Sequence, residues 1–162
     1  MALIFCDGFD WYLTADLAKR WTSVGAAATT TTAVRRAPSV QAASMGGNAG
    51  TVSAVALHKS FGSNYATGCI GFAWYSTAVN SKSIAMIIDG TTEQISVRTN
   101  SSAVLTVNQG NNVRATGSTV LSANTWYYIE LKFTINNSAG VVELKLNGAT
   151  EIASTSSLDT TG

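Results

Sequence analysis

Between Trp126 and Asn147 polar and apolar residues alternate with a period of two. In WYYIELKFTI, Tyr127, Ile129, Leu131, Phe133 and Ile135 fall on one face, and Trp126, Tyr128, Glu130, Lys132 and Thr134 on the other. After NNSAG the run VVELKLNG repeats the pattern, with Val142, Leu144 and Leu146 on one side and Glu143 and Lys145 opposite. Such alternation marks antiparallel strands that bury one face. Charge fixes the register. Pairing Phe133 with Val142 and Leu131 with Leu144 sets Lys132 against Glu143 and Glu130 against Lys145. A shift of two residues would oppose Lys132 and Lys145, and opposed like charges are unfavourable. The first register is predicted, with a loop from Asn136 to Ala139.

Further strands are expected at Ala2–Cys6, Val52–Leu57, Thr67–Trp74, Ser83–Ile88, Gln94–Thr99 and Ala103–Val107, where apolar runs are short and bounded by Gly, Asn and Ser. Asp89-Gly90 and Asn100-Ser101 read as turns. Helical spacing is confined to Ala15 to Arg20, where Thr14 would cap the turn and Leu13 and Leu17 would share a face. The low-complexity stretches Gly25 to Thr32 and Ser44 to Gly50 read as surface loops or edge segments. This pattern predicts an all-β chain, a two-sheet antiparallel sandwich.

Size and composition narrow the picture. At 162 residues, one domain spanning 1–162 is expected. Charged residues make up 12%, about half the ~25% of an average globular chain. That leaves two readings of equal weight: part of the surface lies against another protein, or a Ser/Thr/Asn-rich surface is soluble without charge. The net charge is +1 and the ten basic residues are scattered, which argues against a nucleic-acid partner. No apolar run reaches the ~20 residues that span a bilayer, so no membrane role is expected. MALIFCDGF lacks the basic region and apolar length of a signal peptide, so synthesis in a cytoplasm without export is expected. Cys6 and Cys69 fit no metal or disulfide framework, and each lies in an apolar run where a thiol packs as a small hydrophobe.

Four pieces together resemble a family: CDGFDWY near the start, then RWT, then GCIGFAWY, then ANTWYYIELKFTINNSAGVVELKLNG. Their order is similar to concanavalin A-like lectin/glucanase domains of the laminin-G-like type, over about Leu3 to Ile152. The opening Asp-Gly-Phe-Asp turn looks like the versions in tailed-bacteriophage virion proteins. The resemblance implies a concanavalin-like jelly roll. Such domains usually continue past the Asn-Gly hairpin with closing strands, whereas here the chain runs only to SLDTTG. Three alternatives follow: the sandwich is short by a strand, a neighbouring chain supplies one by edge pairing, or the protein continues beyond this sequence.

Candidate chemistry is sparse. Retaining glucanases need carboxyl groups ~5 Å apart, and none of the nine acids forms an i, i+2 pair within an expected strand. His58 stands without a nucleophile elbow. Asp7 and Asp10 bracket Gly8-Phe9, where two carboxylates could hold Ca²⁺, an ion the resembled family often binds through other loops; turn hydrogen bonds are the favoured alternative. No other cofactor is expected. Trp74, Tyr75, Trp126 and Tyr128 are candidates for carbohydrate contact or for packing against a partner. The expectation is a non-enzymatic phage virion protein, a capsid decoration or a tail or fibre component. Its partners would be other virion proteins and copies of itself, a homo-oligomer. The alternative is a carbohydrate-binding adhesin module for host-surface glycans.

Overall fold

A computed structural model describes residues 3–9, 13–34, 41–45 and 57–162. These fall into two compact units, Met1–Ser63 and Asn64–Gly162.

In the first unit, a 3-10 turn at Thr14–Asp16 leads into the short helix α1 (Leu17–Arg20). Thr14 does not cap it. Its hydroxyl instead accepts from Thr30 N–H at 2.9 Å, while the Asp16 carboxylate takes the Leu13 N–H at 3.0 Å and pairs with Lys19 at 2.6 Å. Two small ladders follow: β1 (Ser23–Val24) and β2 (Ala28–Thr31) pair with β4 (Leu57–His58) and β3 (Ala42–Met45) respectively. Of the two readings of Gly25 to Thr32, surface loop or edge segment, the second holds for Ala28–Thr31, a strand of a two-stranded ladder, because threonine is β-branched and suits a pleated ladder. Leu3 to Cys6 joins no ladder among the described residues. Of the strand expected at Val52–Leu57, residues 52–56 lie outside the described residues, as do Asp10 and 46–50.

The second unit is the sandwich. One sheet has the order β12-β11-β10-β5, and the other is the meander β6-β7-β8-β9. In chain order these are β5 (Thr67–Trp74), β6 (Ser83–Asp89), β7 (Thr92–Thr99), β8 (Val104–Gln109), β9 (Asn112–Val120), β10 (Tyr127–Thr134), β11 (Gly140–Leu146) and β12 (Ala149–Leu158). The β10–β11 register is the one chosen by charge: Phe133 opposes Val142, Leu131 opposes Leu144, Lys132 opposes Glu143 and Glu130 opposes Lys145. Lys132 and Glu143 stand 4.0 Å apart. Asn136 builds the connecting loop by accepting from Ser138 and Ala139 N–H.

The inner faces meet in one apolar core. Ile129, Leu131, Phe133, Val142, Leu144 and Ile152 from one sheet pack with Ile95, Val97, Leu105 and Val107 from the other. The hairpin turns are made where the chain needs positive φ: Gly90 between β6 and β7, Gly110 between β8 and β9, and Asn147-Gly148 between β11 and β12.

One long side of the sandwich carries a clasp. The Glu151 carboxylate on β12 accepts from Ser118 N–H (2.6 Å), Thr119 N–H (2.8 Å) and Thr119 Oγ1 (2.6 Å) on β9. Gly117 leaves the room, since a Cβ there would strike that carboxylate. Burial disfavours the charge, but the three hydrogen bonds outweigh it and hold the Glu151 pKa below its ordinary 4.5. A pKa lowered by folding contributes stability that is complete above the ordinary value and disappears as pH falls through the lowered one. Glu151→Gln should therefore cost about 1 kcal/mol at pH 7, after allowance for its half-exposed position. Denaturant unfolding at pH 7 and in progressively more acid buffers below the ordinary 4.5 should show that difference shrink towards zero.

Candidate contact surfaces

Two surfaces of the sandwich carry side chains that sequence singles out, and a third cluster lies on the other sheet. At one end, the segment after β5 meets the loop before β10. Asn124 N–H donates to Ser76 C=O at 2.8 Å, and Tyr75 Oη donates to Asn124 Oδ1 at 3.1 Å. The rings of Tyr75 and Trp126 lie 5.3 Å apart at 41°. Trp126 precedes β10 by one residue, so strand parity does not govern it, and it turns to Tyr75. Trp74 departs from the candidate set. It faces inward, 6.5 Å from the Tyr127 ring, and packs against the core. The four candidates thus separate: Tyr75 and Trp126 form a pair, Tyr128 lies on the outer face, and Trp74 is partly buried against the core.

This separation has a measurable consequence. Trp74→Ala should destabilise the fold by about 2 kcal/mol, less than the ~3–5 kcal/mol of a fully buried aromatic because Trp74 is only partly buried. Tyr75→Ala and Trp126→Ala should each shift stability by less than about 1 kcal/mol and act on binding. Thermal unfolding alongside a glycan-array measurement separates the two effects.

The outer face of the β12-β11-β10-β5 sheet is the second surface. Cys69, Glu130, Lys132, Glu143 and Lys145 line a shallow depression of about 110 Å³. Both cysteines are exposed and unbridged, which corrects the buried-thiol expectation. Cys69 sits on the outward parity of β5 and opposes Lys132. Tyr128 lies over Gly71, where a Cβ would come within 2.7 Å of its hydroxyl oxygen.

A third cluster, on the face of the other sheet turned away from the core, was not singled out from sequence, and its Ser96, Thr106 and Asn108 are buried. Arg98 grips both Glu93 oxygens at 2.8 and 2.7 Å and donates to Ser96 Oγ at 2.8 Å, while Ser96 Oγ donates back to Glu93 at 2.7 Å. Next to it Thr106 Oγ1 donates to Asn108 Oδ1 at 2.7 Å. The signal was the polar half of the alternation Ile95, Ser96, Val97, Arg98. These groups satisfy one another, as a bidentate arginine pair does when it holds shape.

In the first unit, Asp7 serves the chain itself. Its Oδ1 accepts from Phe9 N–H at 3.0 Å and its Oδ2 from Trp21 Nε1 at 2.8 Å. Trp21 stands edge-on to Phe5 at 5.2 Å and stacks on Phe9 at 5.9 Å, and Lys59 Nζ lies 4.9 Å over the Phe5 ring. The pieces CDGF, RWT and HKSF are thereby drawn into one cluster. Asp10, the other half of the Ca²⁺ candidate, lies outside the described residues. Among the described residues no group of three or more His, Cys, Asp or Glu side chains gathers as a metal site.

No family model, curated protein or solved structure matches the chain.

Proposed function

We propose that this protein is a non-enzymatic structural component of a tailed-phage virion, a capsid decoration or a part of the tail or fibre. It acts by contact with copies of itself and with other virion proteins. The observation that carries the reading is the asymmetry of the sandwich rim. The β9/β12 side is clasped by Glu151, while β5 on the opposite end of its sheet has a partner on one side only among the described residues. Edges of this kind pair with further chains. The sequence pieces that resemble phage virion domains supply the setting. Imaging of intact particles with the chain labelled tests it: ordered copies on the capsid or tail are expected. Recovery only as free protein outside the particle would refute it.

A second reading is favoured by the Tyr75–Trp126 pair with Asn124 beside it. Aromatic rings next to an amide suit the apolar face and hydroxyls of a sugar, so the same module would serve as a host-glycan adhesin. Loss of glycan-array binding in Trp126→Ala and Tyr75→Ala, with the fold intact, is the expected result for this reading. A low copy number at the tail tip would accompany it.

A further inference from the structure

We infer that β5 is a self-pairing edge: two copies of this chain join β5 to β5 across a twofold axis and fuse their β12-β11-β10-β5 sheets into one. The inference names the partner and the strand for the contact role proposed above.

The four outer strands of the two large sheets are not equivalent. The pairings of β12, β6 and β9 with their neighbours all contain register shifts, and β9 is also clasped by Glu151. Bulges and twist of this sort blunt an edge against addition. The β5–β10 ladder runs from Thr67↔Thr134 to Trp74↔Tyr127 without a shift. The strand TGCIGFAW has no charge and no proline. It is eight residues long, free of register shifts and uncharged, and protected edges avoid such strands.

Its hydrogen-bonding groups point in a known direction. Ile135 N–H donates to Ala66 C=O at 2.6 Å, in the same register as the ladder. In an antiparallel pair the bonded residues alternate, so Gly68, Ile70, Phe72 and Trp74 bond to β10. Thr67, Cys69, Gly71 and Ala73 therefore turn their N–H and C=O groups to the other side, where no strand among the described residues pairs with them. Their side chains lie on the outer face, are small and are exposed.

These facts select a second copy and one register. In a continuous sheet, residues that oppose one another must share a face. With Ile70 on the twofold axis, Thr67 opposes Ala73 of the second copy and Cys69 opposes Gly71 of the second copy. Every outward N–H and C=O then finds a partner, and the inward residues Gly68, Ile70 and Phe72 oppose one another. Moving the axis to Cys69 or Gly71 leaves some of these groups unpaired. Ile70 and Phe72, only partly buried at the rim of the core, gain cover from the same row across the axis. With no charge on β5, no like charges meet.

The arrangement puts the two Cys69 residues on one face as diagonal neighbours, roughly 7–8 Å apart. That exceeds the usual reach of a disulfide and suits a short bifunctional maleimide. The full chain carrying Cys6→Ser should sediment as a dimer at tens of micromolar, and bismaleimidoethane should convert it to a covalent dimer. Two variants check the edge. Cys69→Pro removes an outward N–H, and Cys69→Glu gains an attractive partner in Lys132 within its own chain but brings two carboxylates together across the axis. Each should keep its β-sheet circular dichroism and raise the dimer dissociation constant at least tenfold. A chain that stays monomeric at these concentrations would overturn the inference, as would a dimer that does not cross-link or that survives both substitutions unchanged. Particle imaging reads the virion role separately, so either idea can fail while the other stands.

Discussion

Leu144→Ala should remove about 2–5 kcal/mol of stability, the cost of truncating a leucine in a packed core with its cavity left behind. Leu144 is fully buried and lies at the centre of its sheet, opposed by Leu131 on β10 and Ile152 on β12. It touches the core that both sheets share, so the loss should appear in a single cooperative transition. A typical domain has only about 5–15 kcal/mol in total, and the variant should sit near the edge of folding. Its neighbour Lys145 faces outward, and Lys145→Ala should stay within about 0.5 kcal/mol. Urea unfolding of both variants checks the pair. Equal, small losses would mean that the two faces of β11 are not inside and outside as described.

Thr160→Val should cost about 1–3 kcal/mol although it preserves the shape of the side chain. Thr160 is fully buried. Its hydroxyl donates towards Thr134 C=O and Asn136 C=O, at 2.9 and 3.1 Å, and accepts Asn136 N–H at 2.9 Å, while its own N–H donates to Asn136 C=O at 3.0 Å. The segment after β12 is thereby tied to the β10–β11 loop. Gly140 has no side chain at this point, and a Cβ there would run into Thr160 and the Leu158 carbonyl. In the valine variant the part-buried Asn136 N–H loses its acceptor, and the Thr134 and Asn136 carbonyls lose a donor. Thr160→Ser should restore most of the loss. If valine and serine behave alike in thermal unfolding, the hydroxyl is not the tie.

How far the sequence discloses this molecule depends on how strongly each segment discriminates inside from outside. In β10 and β11 the alternation is clean and the charges on the outer face choose between two registers, so pairing was legible residue by residue. Strand β5 was legible from its bounds, Gly68 to Trp74 alternating with small residues. Strand β12 was not. In ATEIASTSSL the serines and threonines fit either face, and the register shifts against β11 break the period of two. That strand occupies the place beside β11 and brings its sheet to four strands. Strand β9 was missed for a similar reason, since NVRATGSTV is polar and is interrupted by the glycine that admits Glu151.

The contact surfaces were legible in residue type and not in direction. Parity turns Trp74 inward with Phe72 and Ile70, and it turns Cys69 outward, opposite Lys132. Tyr75 and Trp126 find each other across about fifty residues of sequence through the Asn124 loop, a contact that no local pattern encodes. The Glu93–Ser96–Arg98 network depends on a register shift between β6 and β7 that brings Glu93 to the outer face.

Amide hydrogen exchange along Thr67 to Trp74, resolved residue by residue and followed with dilution, tests the central claim most directly. In dilute protein, Gly68, Ile70 and Phe72 should exchange slowly, with Cys69, Gly71 and Ala73 fast between them. At high concentration all should become slow together. Protection of Cys69 and Gly71 that persists at every dilution, or fast exchange at Gly68 and Ile70, would contradict an edge strand held on one side and open on the other.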